Sequence, residues 1–238
     1  MKSSHINYYK YFEFEGNMVA QKYRKGTVVL VKNGVEHALP FTKIVDCNHQ
    51  LIRAVTNNDT TQNWGLIHAN GNIALPAVYN FITKPLHYNY IKVFIGDFTW
   101  NEFDELSADL FYNYIDEQSW NGDIYEATLG NGKWGIINAN NQTIVPIQYS
   151  WIEIIAPGIF LYNLGGSNII KWFSGEDKDR QWAIVDGFWG VLGIAELANY
   201  KASTMNELTQ LDTLIKQTID VDDTYFSQYI GKYFTKLT

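Results

Sequence analysis

Short apolar runs separated by polar, turn-forming clusters fill most of the chain, and the apolar period changes near residue 204. Runs of that length bounded by Gly, Asn and Pro predict β-strands joined by tight turns. The clearest case is one sixteen-residue unit used twice without a gap, Trp64 to Tyr79 (WGLIHANGNIALPAVY) and Trp134 to Tyr149 (WGIINANNQTIVPIQY). The two copies share Trp64/Trp134, Gly65/Gly135, Ile67/Ile137, Ala69/Ala139, Asn70/Asn140, Pro76/Pro146 and Tyr79/Tyr149. Self-similarity of this kind sets architecture before any propensity argument does. Each unit reads as a hairpin: an apolar run, a polar centre at Asn70-Gly71 or Asn140-Asn141, and a second apolar run carrying the proline. A type I′ turn requires positive φ at both central residues, which Gly and Asn tolerate best, so these dipeptides predict the turns. Pro76 and Pro146 cannot donate to a ladder and are predicted to end the pairing. Gly65 and Gly135 predict a bend or a close backbone approach inside a strand, with Trp64 and Trp134 covering the gap.

The Trp-Gly start, the Asn turn, the aliphatic-Pro end and the Tyr three residues later resemble the WG repeat of bacterial proteins. In that family an aliphatic strand and a Gly-containing turn precede each core, and Ile124 to Lys133 (IYEATLGNGK) fits this ahead of Trp134. The resemblance implies a mainly β array of antiparallel hairpins and brings no catalytic residues with it. An open twisted array is expected, with a closed, propeller-like arrangement as the alternative.

Further copies are weaker. Residues 12 to 41 form a decayed one, with Phe14-Glu15-Gly16, Asn33-Gly34 and Leu39-Pro40 in place and Thr27-Val28 replacing Trp-Gly. A last copy includes Trp182 to Val185 and Phe188 to Leu192. Between the two good copies lies about one repeat length of extra chain, either a further copy decayed beyond recognition or an insertion near 97–121, and the insertion is favoured because Phe103, Leu106, Leu110 and Tyr114 recur at helical spacing. From Thr204 the period becomes helical. Thr204-Met205-Asn206-Glu207 is a capping box, and Met205, Leu208, Leu211, Leu214, Ile215 and Ile219 make one apolar stripe, predicting a helix over 204–219. A second helix is expected after Asp222 or Asp223. The expected organisation is therefore a repeat domain over 1–200 carrying the insertion, and a helical cap over 201–238.

Chemistry is sparse. Cys47 and His49 stand two apart, a separation of about 7 Å along a strand, whereas nucleophile and base usually come from distant segments. An enzyme with a pocket around Cys47 and His49 is the alternative reading, and no catalytic activity is the expectation. His5, His37, His49, His68 and His87 lack metal-ligand spacing, so no metal and no cofactor is expected. Asp220 to Asp223 fails as a calcium loop, because Tyr225 stands where Gly is required and Gly231 where Glu is. Gly130, Gly132 and Gly135 match a dinucleotide fingerprint, but a hairpin strand follows them instead of a helix. With one cysteine, no eighteen-residue apolar run and no signal-peptide core at the amino terminus, a cytoplasmic protein without a membrane span is expected.

Charge changes the picture more. The net charge of −7 hides an asymmetry: residues 1–92 carry ten Lys or Arg against five acids, and residues 93–170 carry Lys133 against ten. That acidic segment also holds Trp100, Phe103, Phe111, Tyr112 and Trp120, which suits a basic partner protein and repels nucleic acid. Trp100, Glu102, Asp104, Glu105, Asp109, Asp116 and Glu117 are the expected partner-binding residues. The expected function is non-catalytic protein binding, with an immunity protein neutralising a toxin as the specific form.

Overall fold

The computed structural model describes residues 8–24, 26–48, 50–58, 61–83, 90–96, 124–129, 132–173 and 180–219. These divide between two compact units, Met1–Ile95 with Ile136–Val145, and Gly96–Gly135 with Pro146–Thr238. The described residues are mainly β, in small antiparallel sheets none of which closes on itself, with one C-terminal α-helix.

In the first unit β1 (Lys10–Phe14), β2 (Asn17–Gln21), β3 (Val28–Lys32) and β4 (Val35–Ala38) make a meander in chain order. Next, β5 (Lys43–Asn48), β6 (Leu51–Asn58), β7 (Thr61–His68) and β8 (Ile73–Tyr79) repeat it. A third sheet has the order β13-β12-β10-β9, built from β9 (Phe81–Ile82), β10 (Tyr90–Ile95), β12 (Lys133–Asn138) and β13 (Thr143–Tyr149). The strand ahead of the second Trp-Gly is therefore β10. Ile124–Leu129, expected in that place, is β11 and belongs to another sheet.

All three predicted hairpins form, but their turns are of two kinds. Asn33 and Gly34 have φ of 53° and 78°, the two-residue geometry expected. At the second turn the Gly71 amide donates to the His68 carbonyl at 2.8 Å and the His68 amide to the Asn72 carbonyl at 2.8 Å, enclosing a three-residue loop. Only Gly71 has positive φ there, at 91°. Asn141 repeats this at 59°, its amide bonded to the Asn138 carbonyl. These loops are a turn followed by one left-handed residue, so Asn70 and Asn140 instead use their place before it. The Asn70 carboxamide accepts from the Asn72 amide, and the Asn138 carboxamide from those of Asn140 and Gln142.

Pairing also does not stop at the proline. In β7–β8 Leu66 pairs with Leu75 and Trp64 with Tyr79, so Pro76, Ala77 and Val78 bulge opposite Gly65. A proline is tolerated there because the bulge breaks the ladder and because β8 is an edge strand, which proline also protects from pairing with other chains. The bulge explains the glycine. A Cβ on Gly65 would stand 2.6 Å from the Leu75 carbonyl oxygen and 2.8 Å from Cε1 of Phe41. The close approach predicted for Gly65 is present, and the Phe41 ring closes on it.

Alternation along β6 and β7 gives the middle sheet two buried faces. Ile52, Ala54 and Ile67 join Val19, Val28, Phe41 and Ile44 in one core. The residues between them face the other way. There Trp64 meets Phe81 with ring centroids 4.8 Å apart, and Arg53, fully buried, donates from Nη1 to the Ile82 carbonyl at 2.9 Å. Its Nε and Nη2 hold both carboxylate oxygens of Asp46, and its guanidinium lies 5.5 Å from the Trp64 ring. Gln21 does the equivalent work on the first face, accepting from the Ile44 amide at 2.9 Å and donating to the carbonyls of Tyr23 and Arg24.

The second unit carries a further copy. Strands β14 (Trp151–Ala156), β15 (Ile159–Leu164) and β18 (Phe188–Leu192) form one sheet in that order. Trp189 and Gly190 pair with Asn163 and Tyr162, as Trp64 and Gly65 pair with Val55 and Ala54. The Trp-Gly strand of this copy is β18 alone. Trp182–Val185, grouped with it from sequence, lies in β17 of a different sheet. Trp134 packs on Trp151 at 5.4 Å, seventeen residues on, just as Trp64 packs on Phe81. Among the described residues no fourth strand covers β18. Trp189 and Ala202 exchange backbone bonds of 2.7 and 2.8 Å instead, and α1 (Met205–Thr218) follows. Its capping box forms as predicted, with Thr204 Oγ1 accepting from the Glu207 amide and the Glu207 carboxylate accepting from the amides of Ser203 and Thr204. Those bonds hold the Glu207 carboxyl below its ordinary range. Leu208, Leu211 and Ile215 are buried, as the stripe requires. The second expected helix lies outside the described residues.

Trp64 and Trp134 are both fully buried. Each change to Ala is expected to cost about 3 to 5 kcal/mol in denaturant melts, and to cost alike, since both leave a cavity of one indole. Gly65→Ala is expected to destabilise by about 1 to 3 kcal/mol, because the added methyl meets a backbone carbonyl that cannot swing aside.

Candidate interaction surface

The expected partner-binding residues, Trp100, Glu102, Asp104, Glu105, Asp109, Asp116 and Glu117, lie outside the described residues, as does the whole predicted helical stretch near 97–121. What the structure does place is the joint that bears them. β10 and β12 are neighbours in one sheet, yet between Gly96 and Gly132 run residues 97–131, which include β11 and carry nine of the ten acids counted over 93–170. A Cβ on Gly96 would stand 2.1 Å from the Gly132 Cα, so the two backbones touch where the extra chain leaves and returns. Only glycine on both sides permits that approach.

A second excursion leaves at the corresponding joint of the next copy, between β15 and β18. Here β16 (Ser167–Phe173) and β17 (Arg180–Val185) form a hairpin, and β11 (Ile124–Leu129) pairs with it in the order β11-β16-β17. Gly165 and Gly187, with φ of 83° and 69°, stand at its base. Asn163 holds this base together. It is fully buried, accepts from the Gly166 amide at 3.0 Å and donates to the Asp186 carbonyl at 3.3 Å. No expectation from sequence marked this second excursion; Trp189-Gly190, taken as the repeat strand, exposes everything from Gly166 to Asp186 as additional chain.

The alternative site is only partly visible. Cys47 is the fifth residue of β5, half-buried, and His49 lies outside the described residues. Burial raises the Cys47 thiol above its ordinary value, the neighbouring Asp46 charge adds to this, and a hydrogen bond with the Gln50 backbone opposes both. The reactive form of a thiol is the thiolate, and all the larger influences disfavour it. Among the described residues no group of three or more His, Cys, Asp or Glu could hold a metal ion. No described helix is long and apolar enough to cross a membrane. Cys47 is expected to be alkylated by iodoacetamide more slowly than free cysteine at neutral pH, with the rate still rising above the ordinary thiol pKa. A rate equal to or faster than free cysteine, followed by mass spectrometry, would restore it as a nucleophile.

Comparison with known proteins adds one finding. No curated protein and no solved structure matches the chain. The family model of the WG containing repeat matches twice, at residues 64–97 and 134–166. Each matched stretch opens on a Trp-Gly strand, takes in that hairpin and the two strands after it, and stops where an excursion begins. The chain is thus a WG-repeat protein, with two repeats of that family.

Proposed function

We propose that this WG-repeat chain is a non-catalytic protein-binding protein whose acidic, aromatic segment docks on a basic partner protein. The observation that carries the proposal is charge distribution: between residues 93 and 170 ten carboxylates face a single lysine. Carboxylates that crowd one segment repel one another in the free protein, and a basic surface relieves that repulsion while covering the rings of Trp100 and Phe103. Aromatic anchors then supply most of the affinity, and the carboxylates set association rate and salt dependence. The specific role we propose is immunity, a cytoplasmic protein that neutralises a basic toxin. An enzyme acting through Cys47 and His49 has less support, because the thiol is held toward its protonated form.

The test is a pull-down from the native organism, followed by titration of the captured basic protein against a variant with Glu102, Asp104, Glu105 and Asp109 changed to Ser. Association is expected to slow by about tenfold or more at low salt, with a flatter salt dependence. Unchanged rate and unchanged salt dependence would remove the segment as a docking surface. A toxin gene beside the coding sequence is expected under the immunity reading, and a metabolic cluster there would count against it.

A further inference from the structure

The two kinds of hairpin turn place one dipeptide, Asn-Gly, in opposite chemical situations. An asparagine carboxamide carbon can be attacked by the backbone nitrogen of the next residue, and glycine in that next position leaves the nitrogen uncrowded and the backbone free to turn. At Asn33-Gly34 nothing opposes the attack. Lys32 pairs with Val35, and the closing bond of a two-residue turn runs between those flanking residues, so it makes no use of the Gly34 amide. No described residue accepts from that amide, and none bonds the Asn33 carboxamide. Both residues are exposed, and a Cβ on Gly34 would find no heavy atom within 4 Å. Asn70-Gly71 is held at three points instead. The Gly71 amide is engaged with the His68 carbonyl at 2.8 Å, and the Asn70 carboxamide accepts from the Asn72 amide at 2.9 Å. Gly71 is also buried, where a Cβ would stand 2.5 Å from Cδ2 of Leu30.

We propose that Asn33 is a self-modification site, at which the folded chain converts its own asparagine to isoaspartate and aspartate, while the three-residue loop protects Asn70 from the same reaction. The Gly34 amide nitrogen gives up its proton and bonds to the Asn33 side-chain carbonyl carbon, and the carboxamide nitrogen leaves as ammonia. A cyclic imide results. Water then opens the ring on one side or the other. Breaking the bond from nitrogen to the side-chain carbonyl carbon gives aspartate with the original backbone, and breaking the bond to the main-chain carbonyl carbon gives isoaspartate, whose backbone runs through the side chain and is longer by a methylene. No electrons change hands, since water enters and ammonia departs. Either product adds a negative charge beside Lys32. Isoaspartate also lengthens a loop whose two-residue geometry sets the register of β3 on β4, so β4, an edge strand, is loosened. At Asn70 the same attack would first have to break the Gly71 and Asn72 bonds and lift Gly71 away from Leu30.

The test is ageing of the full chain at neutral pH in heavy-oxygen water, followed by peptide mapping with mass spectrometry. Oxygen taken from the labelled water marks conversion during ageing and separates it from any that occurs while peptides are prepared. Isoaspartate is read by methyl transfer from S-adenosylmethionine to its freed main-chain carboxylate, with a protein isoaspartyl methyltransferase as reagent. In the folded chain Asn33 is expected to convert about tenfold or more faster than Asn70, since two hydrogen bonds must break at the second site alone. In concentrated urea, where neither turn persists, the difference is expected to narrow to about threefold or less. Equal rates in the folded chain, or an Asn33 that stays intact while the unfolded chain converts, would overturn the proposal. A difference that persists in urea would assign it to local sequence and overturn the protection of Asn70 by the fold. Amide exchange in β4 is expected to rise by about tenfold or more in the isoaspartate form and to stay as it is in the Asn33→Asp variant, which adds the charge alone. Unchanged exchange in the isoaspartate form would overturn the loosening of β4.

Discussion

A strand sends successive side chains to opposite faces, and in this protein one strand must pack on both. The Trp-Gly pair meets that demand with the largest and smallest residues side by side. Trp64 points to the face that receives Phe81, while Gly65 points to the face that receives Phe41 and leaves room for the Leu75 carbonyl to come within van der Waals range. The proline belongs to the same arrangement. Three residues bulging opposite Gly65 bring the Leu75 backbone in, and Pro76 costs nothing at a point where the ladder is already broken. Pairing then resumes at Tyr79, which is why a tyrosine follows the proline at a fixed distance. In the last copy the same glycine is served differently. Tyr162, directly across the ladder from Gly190, lays its ring over the empty position.

Stacked sheets with two buried faces leave little access to water for any polar group that falls between them. Arg53 shows how such a group is accommodated. A buried guanidinium loses several kcal/mol of hydration, and only a full set of partners offsets that loss. Both Asp46 oxygens, the Ile82 carbonyl and the Trp64 ring supply them. The planar fork matters, because lysine offers a point charge and could not span a carboxylate on β5 and a carbonyl on β9 together. Gln21 carries no charge and needs only three neutral bonds for the same task on the other face. Neither link makes a pattern that hydropathy alone would reveal.

That difference explains what could be read in advance. Hairpins, turn sites, the helix over 205–218 and its capping box follow from local rules, since the residues that decide them lie within a few positions of one another. The type of turn was harder. Asn70-Gly71 serves equally in a two-residue loop or before a left-handed third residue, and only the register of the flanking strands selects between them. Long-range pairing was harder still: Ile124–Leu129 has the composition of a repeat strand, and nothing within it says that its partner is Ser167–Phe173 instead of β12. For the expected docking residues, sequence supplies charge and aromatic content, and the described structure supplies only the joint from which they depart.

The position of that joint is itself informative. In the first two copies the connection ahead of the Trp strand is short: β2 to β3 spans 22–27, and β6 to β7 spans 59–60. It becomes long only in the third and fourth copies. Loop closure cost grows slowly with length, so once two strands are locked by their own pairing, a longer connection adds little penalty provided its ends already touch. Gly96 with Gly132, and Gly165 with Gly187, satisfy that condition by letting backbones approach where any side chain would collide or strain. The hairpin on the other side of each Trp strand is less free. Its loop residues are tied into the array, as Gly71 is against Leu30 and Asn141 is to the Tyr79 hydroxyl at 2.9 Å, so added chain there would separate successive copies. Sequence can therefore be added at one end of the Trp strand without parting the paired strands, and it is from that end that the chain departs at Gly96.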